Sequence, residues 1–146
     1  MGNVASSDIK NGNNNKRINF EDVQQAIKNN DIIINTLTDD KQSCLIANTV
    51  NIKDEVNLIN DLINNNRDIF IIIYGENTMD DSVIKKQEQL NHLGFTNVYI
   101  YMGGLFEWLL LQDIYGSVEF ETTIIEKDLL KYKGAPMLMQ KQLKLY

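Results

Sequence analysis

One cysteine, one histidine, one proline and one tryptophan occur in 146 residues, and the first two scarcities each exclude something. With Cys44 alone, no disulfide framework and no cysteine-based zinc site can form within the chain. His92 alone cannot make a histidine-rich metal centre. No apolar run reaches the roughly 18 residues of a membrane-spanning helix. The N-terminus has no apolar core of the kind a secretory signal peptide carries. Positive charge is also scarce: the net charge is −6 and the isoelectric point about 4.7. A global basic footprint for nucleic acid is therefore missing, and no nucleic-acid partner is expected. The charge is uneven, because five lysines and one aspartate fall from Lys127 onward, a local +4. These features predict a cytoplasmic protein, free or held at the cytoplasmic face of a membrane.

Hydrophobic residues make up 43% of the chain, enough for one ordinary core. Residues 1–17 are polar and asparagine-rich, with no hydrophobic period, and read as a flexible arm. Asn19 is a candidate N-cap for a short helix that presents Val23, Ala26 and Ile27 on one face, with Asp22 three residues after the cap. Ile32-Ile33-Ile34 suits a strand buried on both sides. A second short strand is expected within Ile46–Ile52. Residues 53–64 predict an amphipathic helix, with Val56, Ile59 and Ile63 on one stripe and Leu58 and Leu62 beside it. Residues 69–74 form the most hydrophobic predicted strand, IFIIIY. A helix over 83–93 follows, with Val83, Gln87, Leu90 and Leu93 in register and Gly94 as its C-cap. A strand at 97–101 and a helix at 105–114 complete the pattern, the latter with Leu105, Trp108, Leu109 and Gln112 on one face.

Strands alternating with helices of 10–12 residues imply right-handed crossovers, hence an α/β domain. The expected sheet is parallel, with about 4–5 strands and helices on both faces. Ligands of such sheets bind beyond the carboxyl ends of the strands. The loop 75–82 is therefore where chemistry should lie: Gly75, Glu76, Asn77, Thr78, Met79, Asp80, Asp81 and Ser82.

The run Gly94-Phe95-Thr96-Asn97-Val98-Tyr99-Ile100-Tyr101-Met102-Gly103-Gly104-Leu105-Phe106-Glu107-Trp108 resembles the last strand and following helix of rhodanese-like domains. The resemblance spans about residues 18–115. Ile32–Leu37 stands where the family has a strand ending in Asp-x-Arg, with Asn35 and Leu37 at the two polar positions. Cys44–Ile52 stands where the family has Gly-His-Ile-Pro-Gly-Ala-x-Asn-x, and only Ile46 and Asn51 match. In active members the loop after the central strand begins with a nucleophilic cysteine, and its N–H groups cradle a persulfide or, in related phosphatases, a phosphate. Here the residue at that place is Gly75. A thiolate needs donors, a helix dipole or cations to lower its pKa from about 8.5. The loop instead carries Glu76, Asp80 and Asp81 and no basic residue.

The resemblance thus implies a domain spanning 18–126 without sulfurtransferase or phosphatase activity, followed by a basic and apolar tail from 127 to 146. No catalytic residue and no cofactor are expected. Cys44 falls away from the loop and reads as a small packed residue, and His92 as a residue of a helix's last turn. The acidic side chains carry two readings. Asp80 or Asp81 can cap the helix that follows, and Glu76, Asp80 and Asp81 together offer hard oxygen ligands for Mg²⁺ or Ca²⁺.

Met1-Gly2-Asn3-Val4-Ala5-Ser6 fits the myristoylation pattern, with Gly2 as the acceptor. One acyl chain holds a membrane only marginally. The tail Met137–Tyr146 mixes lysines with apolar residues and can supply a second contact, or pack on its own domain. Three functions follow from the sequence: a myristoylated, non-catalytic adaptor or scaffold with a protein partner, a sulfurtransferase or phosphatase with an atypical site, and a small-ligand or cation-binding module built on loop 75–82.

Overall fold

The computed structural model describes residues 16–139. Elements alternate along the chain: β1 (Arg17–Ile18), α1 (Phe20–Asn29), β2 (Ile32–Asn35), α2 (Ile52–Asn65), β3 (Ile71–Tyr74), α3 (Ser82–His92), β4 (Val98–Tyr101) and α4 (Gly104–Tyr115). Short 3₁₀ turns include Asp39–Lys41, in the connection after β2, and Leu129–Tyr132, beyond α4. The sheet has the order β1-β4-β3-β2, and each neighbouring pair is parallel. The expected four-to-five-stranded parallel sheet is thus met with four strands.

Period-two alternation divides the central strand between two cores. Ile72 and Tyr74 face α1 and α4, joining Val23, Ala26, Leu105 and Trp108. Ile71 and Ile73 face α2 and α3, joining Ile59, Val83 and Leu90. Both faces of the sheet are covered, which is why its strands are almost continuously apolar.

Local chemistry explains the helix ends. At α1, Asn19 Oδ1 accepts from the Asp22 N–H (3.1 Å) and Asp22 Oδ2 accepts from the Asn19 N–H (3.2 Å). This reciprocal capping box satisfies two donors that a helix start otherwise leaves unpaired. Asn51 Oδ1 caps α2 by accepting from the Lys53 N–H at 2.9 Å. Gly94 follows α3 with a φ of 98°, a left-handed conformation that suits glycine.

Several sequence expectations need correction. No regular strand forms over 46–52; Ile46 makes an isolated antiparallel bridge to Thr122 and Thr49 a parallel one to Ile33. The chain turns between them at Asn48, whose φ is 66°, and α2 begins at Ile52. Such a left-handed residue breaks the strand, and Asn tolerates it better than most. The two-residue edge strand β1 lies partly in the segment read as an arm. In α2 only Ile59 is buried, while Val56 is 66% exposed. Leu93 follows the end of α3 and is also exposed, at 37%. The expected face of α4 is present: Leu105, Trp108, Leu109 and Gln112 are all buried.

Beyond residue 126, Leu129 and Tyr132 pack on the body of the fold, while Leu130, Met137, Leu138 and Met139 are exposed. Tyr132 is fully buried in the core formed under α1 and α4, beside Cys44 and Tyr74. The boundary expected at 127 therefore falls within a segment that remains packed at least to Tyr132. Among the described residues, no helix is long and apolar enough to cross a membrane.

Candidate functional site at the loop after the central strand

The carboxyl end of β3 delivers Tyr74 and then Gly75 into a loop that closes on the start of α3. The loop is held from behind by α4. The Leu105 N–H donates to the Gly75 carbonyl (2.9 Å) and the Phe106 N–H to the Glu76 carbonyl (2.8 Å). These are first-turn donors that need partners outside their helix. Gly104 makes the approach feasible. Its φ is 66°, and a Cβ there would lie 2.7 Å from the Gly75 carbonyl oxygen and 2.8 Å from the Asn77 nitrogen. Of the two glycines in the Gly103-Gly104 pair, this one is required by backbone contact.

The interior of the loop is occupied by the side chain of Asp80. Its Oδ2 accepts from the Glu76 N–H at 3.0 Å. Its Oδ1 accepts from the Ser82 N–H at 3.0 Å and from the Ser82 hydroxyl at 2.6 Å. A carboxylate from within the loop thus takes two N–H donors and one hydroxyl that would otherwise be available to a bound anion. Burial opposes ionisation of Asp80. The Ser82 hydroxyl, the Glu76 and Ser82 N–H groups and the charge of Lys41 outweigh it and hold the carboxyl below its ordinary value. The Ser82 hydroxyl also contacts Thr36 Oγ1 at 2.7 Å, which ties the start of α3 to the end of β2.

Gly75 is buried and sits against this carboxylate. A Cβ at Gly75 would fall on Asp80 Oδ2 and lie 3.0 Å from both Asp80 Cγ and Thr36 Oγ1. The space that a side chain would need at the head of the loop is already filled. Of the two candidate caps, Asp80 makes the capping bonds. Asp81, at the formal cap position, makes none with its side chain and is exposed.

The remaining loop residues divide by environment. Asn77 Oδ1 accepts from the Met79 N–H at 2.9 Å, and Asn77 Nδ2 donates to the Tyr132 carbonyl at 2.8 Å. Thr78 and Met79 are exposed. Glu76 forms an ion pair with Lys41 at 2.5 Å, and Lys41 also donates to the Lys131 carbonyl at 3.4 Å. The sequence showed no basic residue in the loop, but the fold supplies Lys41 from the turn after β2 and Lys133 from the C-terminal segment. Lys133 lines a cleft of about 460 Å³ together with Thr36, Leu37, Asn77, Met79 and Gly134. No local pattern around Lys41 signals its partner 35 residues away.

Glu76, Asp80 and Asp81 are not brought together as a ligand set. One is paired with a lysine, one with backbone donors and one points to solvent. Among the described residues, no group of three or more His, Cys, Asp or Glu side chains could hold a metal ion. Cys44 lies in the core under α1 and α4, with its Sγ 3.5 Å from the Ile124 carbonyl. Burial pushes its thiol pKa up, with the charge of Glu126 adding to the effect. His92 is exposed in the last turn of α3, its Nδ1 2.8 Å from the Glu88 carbonyl. The Asn35 side chain, at the strand position that the resemblance gives to an acid, pairs with the Gln42 amide and accepts from the Leu37 N–H at 3.0 Å. Gly2 lies outside the described residues, as does the end of the tail from residue 140.

A parallel sheet covered on both faces, with a loop closing on a helix N-terminus after its central strand, defines the class of protein. The family model for the rhodanese-like domain matches residues 19–111, and the chain belongs to that family. Solved structures share the fold. The solution structure of the rhodanese-like domain from the Anabaena sp. Alr3790 protein aligns over 84% of this chain and 88% of its own, with 19% identity and a TM-score of 0.55. A crystal structure of the Alr3790 protein aligns over 86% of this chain and 99% of its own, with 16% identity and a TM-score of 0.52. No curated protein matches the chain.

Proposed function

We propose that this chain is a non-catalytic rhodanese-like domain that serves as an adaptor, carried to the cytoplasmic face of a membrane by a myristoyl group on Gly2. The observation that carries the first half is the Asp80 carboxylate, which is held inside the loop by Glu76 and Ser82 and stands where a Cβ at Gly75 would fall. Sulfur or phosphoryl transfer through this loop needs a nucleophile at its head and free N–H donors for the bound anion. The head of the loop carries Gly75 in place of a nucleophile, and Asp80 occupies the Glu76 and Ser82 N–H donors. Cys44 does not supply the missing thiolate, because it is buried and its pKa is raised. The second half is supported by the Met1–Ser6 pattern.

Thiosulfate and cyanide with the wild-type protein test the catalytic half. No thiocyanate should form above a protein-free blank. Turnover by wild type that disappears in Cys44→Ala would overturn the reading. For the lipid, the intact mass of protein made in a eukaryotic host should show one myristoyl adduct, absent from Gly2→Ala. An unmodified wild-type mass would remove the membrane half and leave a protein-binding domain.

A further inference from the structure

A second concavity lies at the opposite end of the sheet from the loop. Ile18 of β1, Ala26 of α1, Phe70, Ile72 of β3 and Tyr99 of β4 line a groove of about 260 Å³. Its walls are predominantly apolar. Phe70 precedes β3 and is 52% exposed, although it packs against Tyr99 with ring centroids 5.8 Å apart. Strand alternation puts Phe70 on the same side as Ile72, and Tyr99 on the same side as Tyr101. The groove therefore continues the core under α1 and α4 to the amino ends of the strands, and there it opens to solvent.

The chain enters the described fold at the mouth of this groove. Lys16 Nζ donates to the Thr96 carbonyl at 2.9 Å and sits 5.0 Å from the centre of the Tyr99 ring. Gly2 lies 14 positions earlier. That length of chain reaches up to about 48 Å, far more than the return to the groove requires. The rim carries two carboxylates, Asp22 and Asp31, and Gln25. With only Lys16 opposing these two acids, a free fatty acid or an anionic lipid headgroup would meet a net like charge there. An acyl chain joined to a glycine through a neutral amide would not.

Building on the myristoylation of Gly2 put forward above, we infer that this groove is an acyl-chain site that takes the chain's own N-terminal myristoyl group. Occupancy withdraws the acyl chain from the membrane and exchanges with insertion. A single myristoyl chain binds a bilayer only with an association constant of about 10⁴ M⁻¹, so a modest site competes with it. Tethering raises the local acyl concentration to about the millimolar range. A groove that binds the acyl peptide in trans with a Kd of roughly 0.1 mM would then favour the closed form about tenfold.

The test uses the full, unmodified chain and a synthetic peptide of residues 2–9 myristoylated at its glycine. The acyl peptide should shift the NMR signals of Phe70, Ile72 and Tyr99, and the same peptide without the acyl group should not. Phe70→Asp and Gln25→Trp alter half-exposed or exposed wall positions and should each weaken binding at least tenfold. Far-UV circular dichroism and an unchanged urea midpoint would verify that both variants are folded. On enzymatically acylated protein, Phe70→Asp should raise the fraction bound to phosphatidylcholine vesicles severalfold. Absence of binding would overturn the inference, as would equal binding by the variants or shifts confined to the exposed Ile114 and Val118 side chains. Groove shifts that grow with protein concentration alone would also overturn it, assigning the groove to a second copy of the chain. Because the peptide arrives already acylated, its binding stands even if protein from a eukaryotic host carries no adduct. That adduct result tests only the myristoylation reading.

Discussion

Removing the Asp80 carboxylate should cost stability and open an anion site at the same time. Asp80 accepts from two backbone N–H groups and one hydroxyl. Loss of its cap to α3 alone is worth about 0.5–2 kcal/mol. The bond from Glu76 N–H is to an ionised acceptor, for which about 1.5–3 kcal/mol is typical. The site is only partly buried, so water recovers some of this, and a total of ~2–4 kcal/mol is expected for Asp80→Ala. Urea denaturation followed by Trp108 fluorescence measures it, and Tm should fall by roughly 5–15 °C. The freed N–H groups then lie at the start of α3, where an anion is favoured. Millimolar sulfate or phosphate should raise Tm of Asp80→Ala and leave wild type unmoved, since only an anion that binds the folded state stabilises it. The pH dependence has a definite sign. Asp80 has a folded pKa below its ordinary value. Its contribution is therefore complete above the unfolded pKa of about 3.9 and is lost as pH falls through the lower folded value. The stability gap between wild type and Asp80→Asn should be constant from pH 5 to 8 and shrink below about pH 4. A gap under about 0.5 kcal/mol at pH 7, the level of an ordinary surface change, would refute the claim that this carboxylate organises the loop.

Two further substitutions test neighbouring parts of the argument. Gly75→Cys should destabilise by about 1–3 kcal/mol, as overpacked sites do, because its Cβ falls on Asp80, and it should give no thiocyanate. A stable, active Gly75→Cys would mean that the loop is not filled. Trp108→Ala should cost on the order of 3–5 kcal/mol in denaturant melts. The indole is fully buried, stacks edge-on against Tyr101 and Phe120, and donates to the Glu121 carbonyl at 3.0 Å. A cost below about 1 kcal/mol would place the indole outside the core.

Patterns of short range are written in the sequence and can be read there. Ile71–Tyr74 is apolar at every position because both faces of its strand are covered, and its centrality follows. Asn19 and Asp22 form a capping box because the two residues are three apart, a distance the chain itself sets. The Gly103-Gly104-x-x-x-Trp108 run and the absence of cysteine at Gly75 identified the family and the altered loop before any contact was known. Even the left-handed Asn48 stands where the family pattern has a glycine.

What joins distant residues was not legible. Nothing near Ile18 announces an edge strand, since two residues carry no period and β1 exists only because β4 offers backbone partners. The acids of the loop read as a bare negative cluster, but Lys41 neutralises Glu76 from across the fold. Asn77 reaches the Tyr132 carbonyl 55 residues on, so the C-terminal segment closes over the loop. Above all, sequence placed Asp80 before a helix without revealing that its carboxylate turns inward and fills the loop. That direction depends on Gly104 letting α4 approach, on Thr36 at the end of β2, and on the missing Cβ of Gly75. Local propensity and spacing belong to the chain alone. The side-chain directions that decide whether this loop can hold an anion come from packing between elements far apart in sequence.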